Sequence, residues 1–208
     1  MQWLDDYKKK LSTAEEAVRL VESRNRVYYG GNAAIPRALV NALAERYLDL
    51  QNVQLVHVLL LGEDPLSRPE MAGHFRHNSL FVGPADRDAV NDGRADYVPV
   101  FLHQIPRLFY ERIIPLDVAM VQVSTPDEHG FMSFGVEVMA ARAACRSARR
   151  VIAQVNENMP RVLGDSFIHV NRVDRIVEAH EPLPQLVPKP PTEFARRIGE
   201  HIRAMITE

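Results

Sequence analysis

Three short apolar, β-branched runs, residues 26–29, 116–123 and 150–155, each give way to a polar loop. The loops read Gly30-Gly31-Asn32-Ala33-Ala34-Ile35-Pro36, Ser124-Thr125-Pro126-Asp127-Glu128-His129-Gly130 and Asn156-Glu157-Asn158-Met159-Pro160. Runs this short and apolar read as strands buried within a sheet. Strands alternate with helical stretches along most of the chain, which predicts an α/β fold: an open, mainly parallel sheet with flanking helices. Ligands of such sheets bind in the crevice beyond the carboxyl ends of the strands. The three loops are therefore expected to form one site.

The remaining elements follow from local signals. Residues 3–11 read as an amphipathic helix, and Ser12-Thr13-Ala14-Glu15 as a capping box opening a second helix to about Val21. Pro36 falls where a first helical position belongs, with a helix over 37–48 behind it. Residues 53–61 read as a strand buried on both faces, 63–77 as a surface excursion, and 79–82 as a short strand. A helix over 85–92 stops at Gly93. A strand over 97–102 precedes a helix over 103–112 that Pro106 interrupts. Residues 130–138 form a hairpin or loop that leads into a helix over 139–148, and 168–170 and 175–177 read as short edge strands.

Five prolines within 181–191 (Pro182, Pro184, Pro188, Pro190 and Pro191) make that stretch an extended linker. Thr192 then caps a helix over 193–206. The expected organisation is an α/β domain over 1–180, a proline-rich linker over 181–191 and a terminal helix over 192–208.

A net charge of -2 gives no general reason to expect nucleic acid or an anionic membrane as partner. The local basic cluster Arg142, Arg146, Arg149 and Arg150 reads as a solvated helix end, where cations suit the helix dipole. The single Cys145 excludes an internal disulfide framework and a multi-cysteine zinc site, and its Ala-rich surroundings make it a small buried thiol. No apolar run is long enough to span a bilayer, and the acidic start Met1-Gln2-Trp3-Leu4-Asp5-Asp6 lacks the apolar core of a signal peptide. The cytoplasm is the expected compartment.

Each loop carries two readings. Small residues at the mouth of a helix, as in Gly30–Pro36, let an anion approach backbone N–H groups. The same glycines also suit a tight turn that needs positive φ. The pattern is not GxGxxG, so a dinucleotide fingerprint is unsupported. Ser, Asp, Glu and His in the second loop suggest a hydrolase triad. Triad members converge from separate segments, however, and Ser124 lacks the G-x-S-x-G setting. Asp127, Glu128 and His129 are adjacent, so they point poorly at one metal ion, and Pro126-Asp127 with Gly130 is what a structured turn requires. The amides of Asn156 and Asn158 either bind a substrate carboxylate or carbonyl, or tie down their own loop. His57 and His169 lie in apolar segments and read as core or edge histidines.

Taken in order, these motifs resemble the acetyl-CoA hydrolase/transferase family, in particular its 4-hydroxybutyrate CoA-transferase type. The carriers are Arg26-Val27-Tyr28-Tyr29 with the first loop, Val98-Pro99-Val100-Phe101 with His103 and Pro106, and Asp117-Val118 to Val123 with the second loop and Phe131. Gln154-Val155-Asn156 with Pro160, Gly164-Asp165, Ile168-His169-Val170 and Pro182-Leu183-Pro184 complete the set, which covers essentially the whole chain. The resemblance implies a CoA-transferase (NagB/RpiA-like) domain, the N-terminal one of two similar α/β halves that share an active site. The family's catalytic glutamate and its glycine-rich CoA loop belong to the second half. No catalytic residue is therefore expected in this chain, which alone would be inactive. Members of the 4-hydroxybutyrate type can carry His at the position of Gly31 and Glu at that of Ile35, and this chain departs at both.

By resemblance, a glutamate attacks an acyl-CoA thioester and passes through an acyl-glutamyl anhydride and a glutamyl-CoA thioester before an acceptor carboxylate completes the exchange. Substrate-binding candidates here are Gly30, Gly31, Asn32, Ser124, Pro126, Asn156, Met159 and Pro160. The backbone at Gly31-Asn32 and the Asn156 amide are candidate donors to the developing oxyanion. No metal and no permanently bound cofactor are expected. Coenzyme A enters as substrate, with acyl-CoA and small carboxylates as ligands, a second half or partner chain completing the site, and a homo-oligomer for the complete enzyme. The rival readings are an acetyl-CoA hydrolase and a stand-alone acyl-CoA-binding domain.

Overall fold

The structure, a computed structural model, describes Gln2–Ile206. Among the described residues nine strands occur in chain order: β1 (Arg26–Tyr29), β2 (Val53–His57), β3 (Phe75–Ser79), β4 (Asp96–Tyr97), β5 (Val118–Val123), β6 (Phe131–Ser133), β7 (Arg150–Val155), β8 (Phe167–His169) and β9 (Arg175–Glu178). The α-helices are α1 (Gln2–Lys10), α2 (Ala14–Ala17), α3 (Arg37–Glu45), α4 (Arg87–Asn91), α5 (Ile105–Tyr110), α6 (Ala141–Ser147) and α7 (Glu193–Met205). Seven strands form one sheet in the order β4-β3-β2-β1-β5-β7-β9, and every pairing in it is parallel. β6 and β8 form a separate antiparallel pair.

Alternation along the strands sorts the core into two layers. Tyr28, Val56, Ala119, Val121, Val123 and Ala153 face a cluster with Phe109 of α5 and Ala144 of α6. Val27, Tyr29, Leu55, Val118, Met120 and Ile152 face the opposite cluster, with Leu39 and Leu43 of α3 and Ala17 of α2. Helices thus cover both faces, and β5 is buried at every residue, as a central parallel strand requires. The longest ladder runs from Val118↔Arg150 to Val123↔Val155, so β5 and β7 end level with each other. At the amino ends, carboxylates close the sheet: Asp117 accepts Arg26 N–H at 2.9 Å and Asp174 accepts Val151 N–H at 2.8 Å.

Several elements differ from expectation for local reasons. The capping box sits one residue later, on Thr13 and Glu16. β2 stops at His57 because Leu59 adopts φ 40°, and Leu60 turns aside to bridge Asn32. β3 lies at Phe75–Ser79, across the end of the supposed excursion and ahead of the strand expected at 79–82, because its buried positions include polar residues. Pro106 opens α5 rather than breaking it. Residues 181–191 carry no regular element, and α7 follows with Thr192 Oγ1 accepting Ala195 N–H at 3.1 Å.

Candidate functional site

The winding of the sheet reverses between β1 and β5. From β1 the chain moves outward through β2, β3 and β4, with α3 as first crossover. From β5 it moves the other way to β7 and β9, with α6 on the opposite face. The carboxyl ends of β1 and β5 therefore flank the topological switch point, the place where open α/β sheets bind ligands. The first two loops leave those two strand ends, and the third leaves β7 alongside.

Gly30 and Gly31 are glycines because of the chain around them. Neither has a left-handed φ, and that conformation falls instead on Asn32, at 55°. A Cβ on Gly31 would lie 1.9 Å from the Val58 carbonyl oxygen, and one on Gly30 would lie 2.8 Å from that of Ala34. The positive-φ turn expected at the glycines is thus a close approach of β1's extension to the end of β2. Gly30 N–H donates to Met120 O at 3.0 Å and Asn32 N–H to Leu59 O at 2.6 Å, while Gly31 N–H meets no acceptor among the described residues.

Two glutamines that the sequence reading passed over sit side by side in the β5–β7 ladder, Gln122 opposite Gln154. Gln122 donates to Ile35 O at 2.9 Å, and the Gln154 carbonyl accepts Ala38 N–H at 3.1 Å, so both hold the loop entering α3. Asn156 donates to Gln122 Oε1 at 2.6 Å and to Glu181 O at 2.7 Å, and its own Oδ1 accepts Asn158 N–H at 3.0 Å. Fully buried, it is a clamp between β5, β7 and the chain at Glu181. The signal was present: a glutamine one place before the end of each of β5 and β7.

Ser124 is held as a turn residue. Its hydroxyl donates to Thr125 O at 3.0 Å and accepts Ser133 N–H at 2.9 Å. Asp127 accepts the N–H groups of His129 and Phe131, both at 2.9 Å, and pairs with Arg161. Burial pushes its carboxyl up, but these N–H groups and the Arg161 guanidinium outweigh burial and hold it below the usual carboxylate range. His129 and Glu128 are exposed, and no cluster of three or more metal-ligating side chains occurs among the described residues. Pro126 is half-buried, and Met159 is buried against Gly135 at the edge of the β6–β8 pair, with Pro160 exposed beside it. Glu137 is buried with both carboxylate oxygens occupied, one by Tyr28 OH at 3.0 Å and the other by Met139 and Ala140 N–H, each at 3.1 Å.

A second polar network lies under the same strand ends. Tyr29 OH donates to Asp64 Oδ2 at 2.8 Å, His77 Nε2 stands 3.7 Å from that oxygen, and His77 Nδ1 is 3.0 Å from His57 Nε2. Asp86 completes it, 3.8 Å from His57 Nε2 and accepting Gly83 N–H at 2.8 Å. It ties the loops after β2 and β3 to β1, just before Gly30.

A doubly wound domain with polar loops at its switch point is the class that fold and site define. The chain belongs to the acetyl-CoA hydrolase/transferase family: residues 1–188 match the model of its N-terminal domain. The 4-hydroxybutyrate coenzyme A transferase of Clostridium kluyveri is 46% identical over 208 residues, which are 100% of this chain and 48% of that protein. The crystal structure of RipA from Yersinia pestis superposes with a TM-score of 0.85 at 35% identity, covering 93% of this chain and 47% of that one. The 4-hydroxybutyrate CoA-transferase of Porphyromonas gingivalis gives 0.80 at 32%, covering 98% and 47%. The chain spans about half the length of these relatives. No helix among the described residues is long and apolar enough to cross a membrane.

Proposed function

We infer that this chain forms one wall of the active site of an acyl-CoA:carboxylate CoA-transferase, and that a second α/β half supplies the nucleophile. The observation that carries this reading is the set of three loops at the switch point, in a chain that aligns with a CoA-transferase along its whole length. In the reaction a glutamate oxygen attacks the thioester carbon, the C–S bond breaks, and CoA leaves as thiolate. The thiolate then attacks the glutamyl carbonyl and expels the acyl group as free carboxylate. An acceptor carboxylate reverses both steps. Both intermediates react with water, so the crevice must exclude it.

The residues here contribute shape and donors rather than chemistry. Gly31 N–H is one donor of the first loop left without an acceptor among the described residues, directly after the end of β1. Asn156 acts through Gln122 and Ile35 by fixing that loop. α7 supports the need for a partner, because Phe194, Ile198, Ile202 and Met205 recur at helical spacing and all are exposed. That face favours a two-part enzyme over a stand-alone binding domain.

The test is exchange of CoA between acetyl-CoA and 4-hydroxybutyrate, followed with free-thiol release. The chain alone should do neither. Supplied with the second half of a transferase such as the Clostridium kluyveri relative, it should exchange CoA faster than it releases thiol. Exchange by the chain alone would overturn the reading, and thiol release without exchange would make the assembly a hydrolase.

A further inference from the structure

Arg146, in the last turn of α6, and Arg149 and Arg150 beyond it are exposed, as a solvated helix end requires, but Arg142 is not part of that end. Arg142 lies in the first turn, where the helix dipole disfavours a cation, and Arg172 joins the group from a different segment. Together with Arg146 they rim a cavity of ≈ 490 Å³ between α6 and the β6–β8 pair. Its wall is aromatic: Phe131, 43% exposed, meets His169 edge-on with ring centroids 4.8 Å apart, and Phe167 stands on the neighbouring strand. Its floor includes the buried Cys145. Arg142 pairs with Asp165, but Arg146 and Arg172 make no ion pair or hydrogen bond among the described residues. None of the lining residues belongs to the crevice set.

Two unpaired guanidiniums beside a partly exposed aromatic wall, around a cavity within the size range of small-molecule sites, match a ligand with one planar ring and one strong anion. A nucleoside phosphate has that chemistry. The geometry points to a nucleoside phosphate site in this cavity, separate from the crevice, with Arg146 and Arg172 holding the phosphate and Phe131 flanking the base. The lining offers rings on the strands and charge on α6 and directly after β8. The source is either a free nucleotide or the nucleotide end of a coenzyme.

Isothermal titration of the 208-residue chain with ADP tests this. One saturable site is expected. Arg146→Ala with Arg172→Ala should weaken it at least tenfold, since hydrogen bonds to a charged group are each worth about a factor of ten or more. Phe131→Ala, at an exposed position, should weaken ADP binding and leave inorganic phosphate binding unchanged. Coenzyme A that competes with ADP would identify a coenzyme's nucleotide end as the source, and ADP held without competition would identify a free nucleotide. Both outcomes support the site. The absence of saturable ADP binding at millimolar concentration, equal binding in the arginine variant, or inorganic phosphate binding as tightly as ADP would each overturn it. The variants lie outside the crevice, so these outcomes are independent of whether CoA exchange occurs.

Discussion

His57 and His77 face each other with Nε2 3.0 Å from Nδ1, both rings shut off from solvent. One nitrogen must donate and the other accept. The proton belongs on His57 Nε2, because His77 Nε2 then carries the hydrogen that faces Asp64 and His57 Nε2–H also points toward Asp86. Both rings are neutral in this arrangement.

Burial, and next the neighbouring His77, hold the His57 pKa well below its ordinary value of 6.5. The unfolded chain therefore takes up a proton at His57 before the folded chain does. The resulting stability is fully present above pH 6.5 and is lost as pH falls below it. Each extra proton bound on unfolding costs about 1.4 kcal/mol per pH unit. Urea unfolding between pH 7.5 and 5.5 should show this slope in the native chain and a shallower one in His57→Gln, at roughly the working range where histidine is the main titrating group. Parallel slopes would mean that His57 is protonated in the fold.

Gly31→Ala should destabilise the chain by about 3 kcal/mol or more, beyond ordinary overpacking, because the obstacle is backbone. The new methyl would meet Val58 O at 1.9 Å, at the junction of β1 and β2. Asn32→Gly should be nearly neutral and Asn32→Ala should cost about 1 kcal/mol, since only φ 55° is at stake there. Thermal melts of the three variants give the order, and equal losses for Gly31→Ala and Asn32→Ala would refute the steric account.

Where the sequence was readable and where it was not follows one rule. β7 was legible to the residue because Arg150–Val155 is apolar, β-branched and bounded by Arg149 and Asn156. β3 was not, because His77 and Ser79 occupy its buried face, and His77 pairs across to His57, a partner 20 residues away. Hydropathy cannot see a polar residue satisfied by a remote one. The grouping of the loops was legible, since three loops followed three strands that lie side by side in the sheet. The bonding inside it was not: Gln122 and Gln154 looked like single polar interruptions until the β5–β7 register set them together.

Asn156→Ala removes a buried amide that bridges Gln122 and Glu181. It leaves Gln122 Oε1 without its donor, and the expected loss is about 2–4 kcal/mol for several buried hydrogen bonds made together. The local effect should be larger than the global one. Release of Glu181 should expose the proline-rich stretch behind it to protease at concentrations that leave the native chain intact. Unchanged cleavage near Glu181 would show that other contacts hold that segment.

Cys145 is an internal reporter for the same core. Its thiol is 4% exposed, and burial, reinforced by the Glu137 carboxylate, raises its pKa far above the ordinary thiol range while Arg172 only partly opposes this. Thiolate is the reactive form, so the native chain should resist a thiol reagent at pH 8 and react fully in urea. Glu137→Gln removes one cause of the shift but keeps a hydrogen-bonding oxygen for Met139 and Ala140. If burial dominates, as the order of causes indicates, native Cys145 should stay unreactive in Glu137→Gln. Rapid labelling of that variant at unchanged melting temperature would mean that the buried carboxylate, and not exclusion from solvent, keeps the thiol protonated.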